Sequence, residues 1–359
     1  MRSFYLFCLI LLSSSSFAQE SVWETPPEIK FGGYIETYYS YDLNQAANAK
    51  RQPYFFNYNR HNQFNLNLGI LRFDLKHPRY RGAFALQAGT YVNDNYINEA
   101  SSLKNIHEAH VGIALDKKSR FWIEMGILPS YIGCESAMGM DNPTLTRSLV
   151  AENSPYFMSG AQVSYESEKW TAAIILNNGW QRITRVPKTS APGVGSQVQY
   201  HPSKRLTLNW SSFSGSDFPD SLHRNRYFQN FYLQGKLGKK SSITLGFDYG
   251  LETSGVNEIS NKEWLGYLFI FHHQFNSRYA AALRLEQFND PRYAVVSQAA
   301  AGAFRASGAS LNFDYQPIKS FMLRLEARYL QSENALFWKQ QSFAKNTLNF
   351  TFSLSYKIP

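Results

Sequence analysis

The chain has 359 residues, with 36 Lys and Arg against 27 Asp and Glu for a net charge of +9, and 16% aromatic content that includes 23 Tyr and 27 Phe. Such a length admits two ordinary soluble domains or one large barrel; the negative mean hydropathy, and the lack beyond the N-terminus of an apolar run of about 18 residues, exclude a membrane protein built on helices. Nucleic acid is not an expected partner, because it requires clustered cations, whereas Lys117-Lys118, Lys204-Arg205 and Lys239-Lys240 fall in separate short turns.

Arg2, the apolar stretch Phe4 to Leu12 and the small-residue site Ser16-Phe17-Ala18 form a secretory signal. Cleavage is expected after Ala18, leaving residues 19–28 as a short periplasmic leader and 29–359 as the folded unit. Cys8 leaves with the signal, and Cys134 is then the sole thiol, which rules out an internal disulfide and the small stapled secreted scaffolds.

From Ile29 to Tyr41, Phe31, Ile35, Tyr39 and Tyr41 face one way and Lys30, Tyr34, Glu36 and Tyr38 the other, the period of a strand with one apolar face. A long connection, Asp42 to Asn62, leads to Phe64, Leu66, Leu68 and Ile70. The apolar parity then moves to Leu71, Phe73 and Leu75, which predicts a β-bulge at 70–71. After the short link His77 to Gly82, strands are expected near Ala83–Val92, Ile106–Leu115, Phe121–Ile127, Ser159–Tyr165 and Trp170–Asn177. The second half pairs Val194–Tyr200 with Leu206–Phe213, Tyr227–Leu237 with Ile243–Leu251, Trp264–Phe275 with Tyr279–Phe288, and Ala303–Tyr315 with Phe321–Leu330, each across a short turn.

A last long loop, Gln331 to Lys345, precedes the clearest pattern in the chain. In Asn346 to Pro359, Leu348, Phe350, Phe352, Leu354, Tyr356 and Ile358 alternate with Thr347, Asn349, Thr351, Ser353, Ser355 and Lys357. About twelve residues is long for a globular strand and fits a tilted strand crossing a bilayer. Such a strand cannot stand alone in lipid, where each unpaired backbone group costs several kcal/mol. The expected fold is all-β, a transmembrane antiparallel barrel of about 16 strands with seven short turns and eight long loops, its apolar face on outer-membrane lipid.

Charges that alternate with apolar residues then belong inside, since Arg or Lys on the lipid face near the midplane costs about 2–4 kcal/mol. This assigns Glu36, Glu108, His110, Glu124, Asp248, Arg284, Glu286, Asp314, Arg324, Glu326 and Arg328 to the lumen wall, where they either line a wet pore that sets ion preference or fill the lumen with cross-strand salt bridges. The longest connection, Leu128 to Phe157, is the third long loop, the one that folds inward in many sixteen-stranded porins. It brings Glu135, Asp141, Arg147 and Glu152 as candidate constriction residues. Chemistry is harder to find. His107 and His110 would diverge on a regular strand, no G-x-S-x-G elbow is present, and Gly32-Gly33 opens a strand, so no catalytic, cofactor or metal residues are assigned.

Phe31-Gly32-Gly33-Tyr34-Ile35-Glu36-Thr37-Tyr38-Tyr39, Ile106 to Gly112, Gly126 to Ser136, Asn142, Arg147-Ser148, Pro155 and Asn177-Asn178-Gly179-Trp180 follow one another as in the OmpL-like β-barrel porins of Gram-negative bacteria, which the chain resembles over its mature length. The resemblance implies an outer-membrane porin and brings no catalytic residues. One departure concerns biogenesis. Barrels of this kind often end on an aromatic read by the barrel-assembly machinery, and this chain ends Tyr356-Lys357-Ile358-Pro359, so that signal is shifted or weakened.

The resulting expectation is a passive diffusion channel for small polar solutes or ions, with a homotrimer as a possible assembly. A non-conducting barrel acting as adhesin or envelope anchor is the alternative. A membrane lipase or protease is the third reading, and it would need a clustered triad near the outer rim.

Overall fold

The computed structural model describes residues 20–358 apart from 53, 257–259, 299 and 301. The expected signal peptide, residues 1–18, lies outside the described residues. Sixteen antiparallel strands close into one barrel: β1 Glu28–Asp42, β2 Phe64–Lys76, β3 Tyr80–Ala88, β4 Ile106–Ala114, β5 Phe121–Pro129, β6 Phe157–Glu166, β7 Trp170–Asn177, β8 Gly193–Ser203, β9 Leu206–Gly215, β10 Arg226–Leu237, β11 Ser241–Glu252, β12 Lys262–Gln274, β13 Tyr279–Asp290, β14 Phe304–Ile318, β15 Phe321–Ser332 and, after a small hairpin of β16 Phe337–Lys339 and β17 Ser342–Ala344, β18 Asn346–Ile358. Strands pair with their sequence neighbours throughout. The barrel shuts where β1 meets β18, from Gly33 opposite Ile358 to Asp42 opposite Asn349, so no strand edge faces lipid.

The last strand reads as its pattern requires. Phe350, Phe352, Tyr356 and Ile358 are exposed on the outside, and Thr347, Asn349, Thr351, Ser353 and Ser355 are buried inside. Aromatic pairs ring the outer surface near both strand ends: Tyr39 with Phe64 (4.8 Å) toward the long loops, and Phe121 with Tyr165 (4.9 Å) and Trp170 with Tyr200 (4.3 Å) toward the short turns. These are the interface girdles of a membrane barrel. The leader docks on the short-turn side. Trp23 stacks with Tyr80 and lies under Arg79, and His77 Nε2 sits 2.9 Å from the Val22 carbonyl.

Three local expectations are corrected. The parity slip in β2 falls at Asn67 and Leu68 instead of 70–71: Thr37 pairs with Leu66 and Glu36 with Leu68, and both Leu68 and Ile70 point inward. They do so because an apolar cluster with Tyr34, Tyr91 and Tyr96 occupies that part of the lumen. The strand expected to reach Val92 ends at Ala88; α1, Thr90–Asn95, follows and buries Tyr91 and Val92 in the same cluster. A register slip opposite Leu86 and Ala85 also sets the His107 imidazole 2.9 Å from Gln87 on the inner wall, against simple alternation.

The facing of neighbours on β6 can be tested directly. Val163 is exposed on the lipid side, while Gln162 donates to Glu124 Oε2 at 2.8 Å inside. Val163→Arg should lower stability by about 2–4 kcal/mol in a lipid-refolding titration. Gln162→Arg, which still reaches a carboxylate, should refold within about 1 kcal/mol of the parent. Equal losses at both positions would contradict the assignment of faces.

Candidate solute channel

The β13–β15 wall carries a ladder of alternating charge. Opposite register brings Arg284 to Ser310 and Ser310 to Arg328, and sets Asp314 against Arg324. Arg328 donates through Nε and Nη2 to Glu286 at 2.8 and 2.9 Å, Arg284 Nη2 reaches Glu326 at 2.7 Å, and Arg324 grips Asp314 at 2.7 and 3.1 Å. None of these six residues is more than 5% exposed. They are dry because the loop 130–156 runs through the lumen against them.

The loop is held by its backbone and its hydroxyls. Leu149 N donates to Glu286 at 2.6 Å, Thr146 N and Oγ1 donate to Glu326 at 2.7 and 2.6 Å, and Leu145 N donates to Asn312 at 3.1 Å. In return Arg324 donates to the Gly139 and Pro143 carbonyls at 2.6 and 3.0 Å, and Arg284 donates to Thr144 Oγ1 and to the Thr146 carbonyl. The nearby β1 wall takes part too. Met140 N donates to the Tyr34 hydroxyl at 3.3 Å, and beside it Glu36 accepts from Tyr58 and Asn67 at 2.8 and 3.0 Å and from Ser355 at 3.1 Å. The loop tip reaches the short-turn side, where Asp141 meets Lys357 at 2.8 Å.

The other candidate constriction residues act within the plug. Arg147 is buried between Tyr156 and Tyr91, its Cζ 3.7 and 4.9 Å from the two ring centres, and Nε donates to the Ser136 carbonyl at 3.0 Å. Glu135 accepts from Ser148, the N-cap of α2, Leu149–Glu152, and Glu152 accepts from Phe56 N at 2.8 Å, joining this loop to the one after β1. Burial raises both carboxyls above the ordinary glutamate range, with Arg284 and Arg147 respectively opposing the rise. Asp248 stands apart from the ladder and accepts from Asn230 at 2.6 Å.

The remaining wall is different in kind. On β2 to β6, Arg72 pairs with Asp74 and Glu108 at 2.8 Å each, Arg81 with Glu124 and Glu166 at 2.7 Å each, and His110 stands 3.7 Å from both Glu108 and Glu124. Arg72, Asp74, Arg81, His110 and Glu124 line a cavity of about 430 Å³ in which the Arg72, Asp74 and Arg81 side chains keep 32%, 23% and 28% of their exposure. Arg72 and Asp74 were legible beside Leu71, Phe73 and Leu75. Arg81 was hidden by its assignment to a turn, and Thr144 and Thr146 gave no signal. Among the described residues, no group of three or more His, Cys, Asp and Glu side chains could hold a metal ion.

A family model described as Putative beta-barrel porin-2, OmpL-like, matches residues 28–358. The chain belongs to this porin family. It is therefore a protein of the bacterial outer membrane. Similar solved structures are the anion-selective porin from Comamonas acidovorans (TM-score 0.62, 10% identity, 92% of this chain and 100% of that one), the outer membrane channel DcaP of Acinetobacter baumannii (0.59, 10%, 96% and 100%) and OmpF of Salmonella typhi in complex with daunomycin (0.61, 9%, 92% and 98%). At these identities the likeness is one of fold. No curated relative matches the sequence.

In this porin the buried ladder sets a stability test. Arg284→Met leaves Glu326 without a counter-charge, while Glu286 keeps Arg328, and should cost about 3–5 kcal/mol, whereas adding Glu326→Leu in the same chain should recover much of that loss. Urea titration of the folded barrel in micelles reads both. A double variant as unstable as the sum of the two single ones would show that the pair is not coupled.

Proposed function

We propose that the barrel is a passive diffusion channel for small polar solutes and ions, and that their path follows the β2–β6 side of the lumen. The observation that carries this reading is the contrast between the two walls. The β13–β15 charges are stapled to the loop, while Arg72, Asp74, Arg81 and the groups beside them line an open cavity with both signs of charge. Paired charges of alternating sign give a transverse field that suits polar solutes over apolar ones. Residues 1–18 serve as the export signal, the barrel-assembly machinery inserts the mature chain, and the assembly is a homotrimer, the state named for a trimer form of OmpT of Vibrio cholerae.

One observation favours the alternative of a closed barrel acting as adhesin or envelope anchor: the loop spans the lumen as far as the Asp141–Lys357 pair. Planar-bilayer recording separates the two readings. The parent should give small, ohmic single-channel currents. Deleting Ser136 to Leu145 should enlarge them, and a deletion of equal length within Gln331 to Lys345 should not. Silence in the parent and in both deletions would overturn the channel.

The loop carboxyls add a pH dependence. Because burial raises the Glu135 and Glu152 values, the inserted loop favours their protonated forms. Its seating is firmest below the ordinary glutamate range and loosens as pH rises through the raised values. Current should therefore grow with pH across that window. The paired change Glu135→Gln and Glu152→Gln should flatten the profile, and a parent profile that is already flat would contradict the argument. Maleimide labelling gives an independent reading. Burial pushes the Cys134 thiol up, so it should react slowly while the loop is seated and faster as pH rises beyond what thiolate formation alone explains.

A further inference from the structure

At the mouth formed by the long loops, a cavity of about 290 Å³ lies over the end of the inserted loop. Its carboxylates and Arg226 are already engaged, and Arg182 alone among its cations has no ion pair among the described residues. Asp94 is held by Lys50 and Arg60 at 2.7 and 2.6 Å, Glu99 accepts from the Ile183 and Thr184 amides at 2.9 and 3.1 Å, and Arg226 reaches Glu252 at 2.7 Å and Asp217 at 3.5 Å. What remains free in buried places is donor capacity on one neutral amide and on one guanidinium whose charge Glu252 and Asp217 balance. Asn95 and Arg226 are 6% and 8% exposed, and Asn95 Nδ2 and Arg226 Nε make no hydrogen bond of good geometry. The Asn95 amide is set in place, because its Oδ1 accepts from Gln181 Nε2 at 3.1 Å while Gln181 Oε1 accepts from Tyr156 N at 2.9 Å. The half-buried rings of Phe56 and Trp180 add apolar surface to the same lining.

We propose that this vestibule binds a neutral polyhydroxylated solute of mono- or disaccharide size, as the first station of the path described above. Buried planar donors beside aromatic faces recognise such a molecule. Its hydroxyls satisfy the orphaned N–H groups, and the C–H face of its ring lies on the aromatic surface. A cation would find the Asp94, Glu99 and Asp217 carboxylates taken by closer partners, and an anion would have only Arg182, set among those same carboxylates, to replace its hydration. The volume is at the small end for ligand pockets, which limits the occupant to one or two sugar rings.

The purpose of the site rests on the channel reading, but its existence can be tested without conduction. Purified protein in detergent is titrated with glucose, maltose and trehalose while tryptophan emission is followed, with putrescine and inorganic phosphate as charged probes. At least one neutral sugar should give a saturable change. Asn95→Leu should weaken it about tenfold, as expected for a buried donor left without its partner. Gln181→Ala, which frees Asn95 without removing it, should weaken binding less. Unchanged heat-modifiable mobility on gels verifies that both variants fold. No saturable response to the three sugars, an unaltered affinity in Asn95→Leu, or saturation by putrescine or phosphate alone would overturn the proposal. Sugar binding by a barrel that carries no current would uphold the site and overturn the channel.

Discussion

Ion pairing inside a filled lumen is the constraint on which the rest of this structure depends. Arg284 lies between Glu286 and Glu326 at 3.3 and 2.7 Å, and Glu286 also serves Arg328. Four strand residues thereby form one chain of alternating charge buried from solvent. Desolvating charge is costly, and mutual attraction offsets it only when the remaining lone pairs and N–H groups are met as well. The loop meets them. Its amides at Leu145, Thr146 and Leu149 supply donors and its carbonyls at Gly139 and Pro143 supply acceptors. Wall and loop are therefore one polar network, and neither has its observed form without the other.

This arrangement also explains why the lumen is lopsided. On the β13–β15 side, donors and acceptors on the loop match most of the wall groups, Arg284 Nε and Ser310 Oγ excepted. On the β2–β6 side the wall groups satisfy one another: Arg72 has two carboxylates and Arg81 has two more. A wall that is electrostatically complete needs no loop and can stay wet. Each loop-to-wall hydrogen bond replaces one to water and so contributes only about 0.5–1.5 kcal/mol net. Water entering the lumen would solvate the same ladder, which keeps the free-energy gap between seated and unseated loop far smaller than the number of bonds suggests.

The barrel itself was legible because lipid on one side and polar groups on the other force a two-residue period on every strand, most plainly in β18. Legibility failed where the inner face is apolar. Leu68 and Ile70 look like lipid-facing residues in the sequence, and only the cluster around Tyr34, Tyr91 and Tyr96 reveals that they point inward, which moves the bulge to Asn67 and Leu68. The same ambiguity prolonged β3 through Tyr91 and Val92. Charge positions carried over well, since a cation or carboxylate has no alternative to the lumen. Their partners did not. Neutral hydroxyls and carbonyls of the loop, and not its acids, meet the Arg284 and Arg324 guanidinia, and Thr144, Thr146 and Gly139 are too ordinary to announce themselves.

Glycine on the wall supplies the last step. Gly195 of β8 faces inward, and a methyl group there would run into the Tyr131 hydroxyl; at Gly266 of β12 it would meet Val150 of the loop. Within the loop, a methyl group at Gly139 would strike the Glu36 carboxylate and the Tyr58 hydroxyl. Glycine weakens a strand interior, having no side chain to pack and more backbone freedom to lose. Strand positions that give up packing at the points where the loop crosses are a cost to the barrel alone and a gain only to the barrel with its loop inside. A surface loop that strayed into the lumen would meet ordinary side chains there. This one meets a groove cut to its shape, so the inserted state is part of the fold, and any solute must pass beside the loop.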